Sequence, residues 1–140
     1  MNQNMNAIIP QLWVGAEQKD GRGLSDHFQV FVLAAKEIQS GRNYSGLEVW
    51  GVPLDDNGVG PTSKEVELAV NAGLAVAERI LLGQNVLVTC HLGLNRSSLI
   101  AALAMRFLGW DSAATIRKIR AARGRHALSN PGFESLVREV

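Results

Sequence analysis

Residues 86–108 constrain the fold more than any other stretch. Val86-Leu87-Val88 is a short apolar run. The loop TCHLGLNR follows, and Ser97 to Leu108 is then apolar almost all round. A strand apolar at successive positions is buried on both faces. A helix apolar all round is buried as well. Such a strand and helix can only sit at the centre of a layered domain. Val30-Phe31-Val32-Leu33 is a second continuous apolar run, and Leu47 to Pro53 (LEVWGVP) reads as a third strand. Strands alternating with helices predict one α/β domain over 1–140, with a central, mainly parallel sheet flanked by helices.

The other elements follow from local signals. Leu12-Trp13-Val14, closed by Gly15, predicts a strand. The stretch after it, AEQKDGRGLSD, is a polar, Gly-rich loop with room for a helical turn. LDDNGVGP breaks regular structure, with Asn57-Gly58 and Gly60-Pro61 as turn signals. Thr62 and Glu65 match a capping box. The helix they open carries Val66, Ala69, Val70, Gly73, Leu74, Ala77, Ile80 and Leu81 at three-and-four spacing and stops at Gly83. Gly109 ends the apolar helix. Asp111 caps another that runs to about Arg123, and Asn130-Pro131 opens a last short one.

Composition narrows the setting. A chain of 140 residues with 46% apolar residues builds its core without disulfides or a metal. Cys90 is the only cysteine, which suits a reducing compartment. His27, His91 and His126 are scattered, and no Cys/His cluster has zinc spacing. The N-terminus lacks the basic segment and apolar core of a signal peptide. No apolar run approaches the ~20 residues that span a bilayer. The expectation is a soluble, cytoplasmic monomer that engages no membrane. Charge is uneven: residues 1–60 carry four Lys/Arg against seven Asp/Glu, and residues 61–140 carry ten against six. The basic half holds the cysteine.

Strand, Gly-containing loop and buried helix, in that order, make an anion site. The first N–H groups of a helix lack intrahelical partners and lie at the positive end of its dipole. A phosphate there is stabilised by both. Gly93 lets the loop curl so that successive amides converge. Arg96 adds a planar fork for two phosphate oxygens. A cysteine at the base of such a cradle is pushed toward thiolate by the same field. It is then a nucleophile aimed at phosphorus. The pattern C-x5-R-S thus points to a phosphocysteine, with Cys90 as nucleophile. The nucleotide-binding pattern G-x-x-x-x-G-K-[ST] is absent, and Gly58-Val59-Gly60 does not extend to a dinucleotide fingerprint.

CHLGLNRS resembles the signature C-x-x-G-x-x-R-[ST] of the cysteine-dependent protein phosphatases, in particular their small dual-specificity branch. AIIPQLWVG (7–15) is similar to that family's opening strand. WGVPLDDNG (50–58) falls where its general-acid loop lies, and Asn130-Pro131-Gly132-Phe133 resembles a segment near its C-terminus. The resemblance implies an acid three residues after a proline, which gives Asp56, with Asp55 as the alternative. It implies that the backbone of His91, Leu92, Gly93, Leu94, Asn95 and Arg96 binds phosphate. Ser97 would hydrogen-bond the cysteine sulfur. No metal or cofactor enters that chemistry. The family's usual histidine before the cysteine is replaced by Thr89, which bears on how the thiol is tuned. His91 is expected at the pocket rim, without a catalytic role.

The expected substrate is a phosphomonoester, first of all phosphotyrosine, phosphoserine or phosphothreonine in a protein. An RNA 5′-phosphatase is the alternative enzyme. Outside catalysis stand a phosphate-binding module and a rhodanese-like sulfur carrier. Arg117, Lys118, Arg120, Arg123 and Arg125 read as the solvated face of a helix whose Ala113, Ala114 and Ile116 side meets the core. The alternative is a patch for RNA or anionic phospho-substrates; nucleic acid is not the favoured partner. Trp13, Trp50 and Trp110 are not interleaved with that run and read as core or rim packing.

Overall fold

A computed structural model describes residues 4–18, 21, 23–39 and 44–140. Five strands, β1 (Met5–Ile9), β2 (Leu12–Gly15), β3 (Val30–Ala35), β4 (Glu48–Leu54) and β5 (Val86–Thr89), form one sheet in the order β1-β2-β5-β3-β4. β1 is antiparallel to β2, and every other pairing is parallel. Four helices follow or separate the strands: α1 (Ser63–Leu81), α2 (Arg96–Phe107), α3 (Ser112–Arg123) and α4 (Pro131–Glu139). The expected single α/β domain with a mainly parallel sheet is the architecture observed.

β5 lies at the centre, between β2 and β3. Alternation along the strands explains their continuous apolar runs. Val30, Val32, Val86 and Val88 pack into the cluster shared with the helices. Phe31, Leu33 and Leu87 point to the opposite face, where they meet Leu24, Phe28 and Tyr44. β3 and β5 are therefore covered on both sides, as the inner strands of a parallel sheet require. α2 is buried from Arg96 to Met105 and forms the middle of the helical layer. Gly73 of α1 lets that helix approach closely: a Cβ there would stand 2.7 Å from the Cβ of Leu103.

The local signals hold at three helix starts. The capping box of Thr62 and Glu65 is formed. Asp111 accepts from the Ala114 N–H, and Asn130 accepts from Gly132 and Phe133. The N-terminal reading needs correction. Residues 7–15 are not one opening strand but parts of two antiparallel strands. They turn at Pro10-Gln11, where Gln11 has φ +75°. The basic run needs correction as well. Ala113 is exposed, while Thr115, Ile116 and Ile119 are buried. Arg120 and Arg123 turn inward to carbonyl partners, whereas Arg117, Lys118 and Arg125 remain on the surface. Of the tryptophans, Trp13 packs edge-on to Phe28, Trp50 lies under the Arg79 guanidinium, and Trp110 packs against the main core.

Candidate active site

Cys90 is the first residue beyond the central strand β5, and its N–H extends the ladder to the Gly15 carbonyl at 3.3 Å. The residue is 5% exposed. Its Sγ lies 3.1 Å from Ser97 Oγ, in the first turn of α2. The C-terminal end of a central parallel strand is where open α/β sheets place their ligands.

The loop between Cys90 and α2 is held from behind by its carbonyl groups. His91 O accepts from the Glu17 N–H at 3.2 Å, and Leu94 O from the Leu128 N–H at 2.9 Å. Leu92 O and Gly93 O accept from the Arg123 guanidinium at 3.1 and 2.9 Å. No peptide here is cis. In a trans peptide the carbonyl and the next N–H point opposite ways. Four carbonyls tied outward therefore turn the N–H groups of Leu92, Gly93, Leu94 and Asn95 into the concavity. None of these N–H groups has a backbone partner among the described residues. Gly93 makes the curl possible. Its φ is +71°, and an added Cβ would lie 2.5 Å from the Gly15 carbonyl carbon and against Arg123. Arg123 also reaches β1 and the residue before it, donating to Asn6 Oδ1 at 2.8 Å and Asn4 O at 3.3 Å.

Asn95 stands at the N-cap of α2 yet makes no capping hydrogen bond. The other three helices are capped by side chains. The positive end of α2 is thus left open on the side of Cys90. The pocket there is lined by Asp56, Cys90, His91, Leu92, Leu94, Asn95 and Arg96 and has a volume of about 90 Å³.

Arg96 is buried, and its two terminal nitrogens grip Glu37 end-on, at 2.5 and 2.8 Å. One of them also donates to Leu54 O at 3.3 Å. The hydrogen bond from Arg96 holds the Glu37 carboxyl at about 2, far below its ordinary 4.5. Burial works against the charge on Arg96; the Glu37 bond and the neighbouring Cys90 and Asp56 charges outweigh it and raise its pKa. Arg96 is therefore a fixed cation, oriented by Glu37 just beyond the end of β3.

The structure separates the two candidate acids. Asp56 lines the pocket with Cys90. Its Oδ2 accepts from Asn95 Nδ2 at 3.0 Å and its Oδ1 from Asn130 Nδ2 at 2.8 Å. Asp55 is absent from the pocket lining, and its backbone N–H donates to Glu65 Oε2 at 2.7 Å. Glu65 accordingly serves twice: it closes the capping box of α1 and anchors the loop that carries Asp56. Thr89, in the place of the resembled family's histidine, is buried, and its hydroxyl donates across the sheet to Val32 O at 3.4 Å. His91 is exposed at the rim, 3.8 Å from Glu17.

Sequence reading missed Glu37, Arg123 and the side-chain roles of Asn95 and Asn130. Two signals were available. Arg123 follows Ile116, Ile119 and Arg120 at helical spacing, so it belongs to the buried stripe of α3. Glu37 sits two residues past a strand buried on both faces, at the end of the sheet where ligands bind.

No protein-family model matches the chain, and no curated protein matches it in sequence. Solved structures do match in three dimensions. Tk-PTP in its active form superposes with a TM-score of 0.80 at 20% identity, covering 99% of this chain and 97% of that one. Human DUSP28 gives 0.78 at 21% identity over 99% and 93%. The human tyrosine phosphatase-like serine/threonine/tyrosine-interacting protein gives 0.76 at 18% identity over 99% and 95%. At such identities the likeness is one of fold, and it extends over nearly the whole chain.

Proposed function

We propose, for a chain with the fold of the cysteine-dependent dual-specificity phosphatases, that it hydrolyses phosphate monoesters through a phosphocysteine. The substrate class is phosphotyrosine, phosphoserine or phosphothreonine in proteins. One observation carries this reading: the Cys90 sulfur stands beside an open helix terminus whose loop amides are turned inward by four carbonyl ties. In this reading those amides and the N–H groups of Arg96 not taken by Glu37 and Leu54 O hold the trigonal oxygens of the transferring phosphoryl group, whose charge persists in the transition state.

In the first step Cys90 thiolate attacks phosphorus and the bond to the leaving oxygen breaks. Asp56 gives its proton to that oxygen as it departs. In the second step water attacks the phosphorus of the phosphocysteine and passes a proton to the Asp56 carboxylate. The sulfur leaves as thiolate, receiving a hydrogen bond from the Ser97 hydroxyl; the 3.1 Å separation supports this role. Asp56, rather than Asp55, is assigned the acid role because it shares the pocket with Cys90.

The test is hydrolysis of an aryl phosphate in the presence of a chelator. The reading expects turnover that Cys90→Ser abolishes and that Arg96→Ala lowers by ~10²–10³. A folded, reduced wild type that turns over no aryl phosphate would contradict it and direct attention to phosphate binding or sulfur transfer.

A further inference from the structure

Asp56 closes a hydrogen-bonded ring with Asn95 and Asn130, three residues drawn from three parts of the chain. Asn95, in the loop after Cys90, donates to Oδ2 of Asp56. Asn130, at the start of α4, donates to Oδ1. The ring closes where the Asn130 N–H donates to Asn95 Oδ1 at 3.0 Å. The orientation of the Asn130 amide is fixed independently of Asp56. Its Oδ1 accepts from the N–H groups of Gly132 and Phe133 at 3.0 and 3.3 Å, which leaves only the NH₂ end to face the carboxyl. The residue is 6% exposed, and α4 is anchored by Phe133 and Val137 in the core. Asp56 itself sits on an exposed stretch with Asn57 and Gly58, where nothing in its own segment would fix a carboxyl group.

We propose that Asn130 is the positioning residue of the proton donor: the N-cap of α4 aims the Asp56 carboxyl at the substrate's leaving oxygen. Asn130 retains Oδ1. Oδ2, on the side of the phosphate loop, exchanges its contact with Asn95 for the leaving oxygen and carries the transferred proton. The acid is thereby held beside the phosphate loop by α4. This inference rests on the reading of Asp56 as general acid.

The leaving group supplies the test. A dinitrophenolate departs without a proton, whereas a phenolate needs one. The quantity to compare is kcat/KM for dinitrophenyl phosphate and phenyl phosphate, because it reports the formation of phosphocysteine. Asn130→Ser keeps a cap acceptor for α4 and removes the NH₂ donor. A misplacement of a reacting group by ~1 Å costs on the order of 10²-fold. Asn130→Ser should lower kcat/KM for phenyl phosphate by about 10- to 100-fold, and that for dinitrophenyl phosphate by no more than about threefold. In an Asp56→Asn background the same substitution should have no further effect on the ratio of the two substrates. A purely structural role would lower both substrates equally and in both backgrounds, and that result overturns the proposal. Asn130→Thr, which also retains a cap acceptor and adds no charge beside Asp56, serves if the serine variant melts early. Failure of the readings beneath it looks different: if Asp56→Asn leaves the substrate ratio of the wild type unchanged, Asp56 is not the acid and this proposal falls with that assignment, whereas a wild type that turns over neither ester contradicts the phosphatase reading itself.

Discussion

Asn95 and Asn130 occupy the same position of their helices and use the same amide in different ways. Asn130 has extended backbone angles, and its side-chain oxygen folds back onto the first amides of α4. Asn95 has φ −111° and ψ −62°, a helical conformation from which its side chain does not reach the amides of α2. Its amide turns outward to Asp56 and to the Asn130 backbone. One helix end is closed by its own cap and serves as a fixed bracket. The other is left unsatisfied beside a cysteine, with its loop tied open from behind. Capping stabilises a helix locally. Under the proposed function, its absence at α2 leaves those orphan amides to a phosphate.

The largest expected effect comes from filling the open end. Gly93→Ala places a Cβ against the Gly15 carbonyl at a φ of +71°. The loop must shift, and kcat/KM for an aryl phosphate should fall by ~10² or more. A variant that retained wild-type activity would show that the inward amides do not matter.

Arg123→Met removes two of the four carbonyl ties while leaving α3 intact. Since burial already disfavours the charge on Arg123, its place there is sustained by these acceptors. Activity should drop by about tenfold, with KM rising, as an oriented donor set loosens. Unchanged KM would assign Arg123 to the anchoring of β1 alone.

The two caps differ in a quantity that can be measured directly. Asn130→Ala should cost about 1 kcal/mol of stability, the usual worth of a lost N-cap. Asn95→Ala should cost less, since it breaks no cap; denaturant unfolding of both variants compares them. Equal losses would contradict the contrast drawn here.

The smallest effect concerns pH. The hydrogen bond from Arg96 holds Glu37 at about 2 in the folded chain, below its ordinary 4.5. A lowered carboxyl pKa contributes stability that is complete above pH 4.5 and is lost as pH falls toward 2. Glu37→Gln should therefore lose less stability than the wild type on acidification through that window. The difference is small because Glu37 is more than half exposed and screened by solvent. Parallel acid melting curves for the two proteins would assign the acid sensitivity to other groups.

Much of this site was legible in the sequence because its chemistry is local. Cys90, Gly93, Arg96 and Ser97 lie within one strand-loop-helix unit, and the periodicity on either side placed them. The caps at Thr62, Asp111 and Asn130 are local signals of the same kind. What escaped was assembled by tertiary pairing. Glu37 meets Arg96 across 59 positions, and Arg123 meets Asn6 across 117. No window of sequence contains both partners. The hairpin of β1 and β2 was missed because Gln11 adopts a positive φ that its residue type does not announce. The surface reading of the basic run fails at Arg120 and Arg123 because charge was taken as a sign of solvent, whereas a half-buried guanidinium with carbonyl acceptors is also stable.

Under the proposed mechanism Cys90 becomes phosphorylated during turnover. The most direct test is acid quenching of Asp56→Asn within the first turnover of dinitrophenyl phosphate, followed by peptide mass spectrometry. The substitution leaves the first step open with this leaving group and slows attack by water. The account predicts one phosphoryl group on the peptide that contains Cys90, and none in Cys90→Ser. Release of dinitrophenol with Cys90 unmodified at every quench time would contradict it.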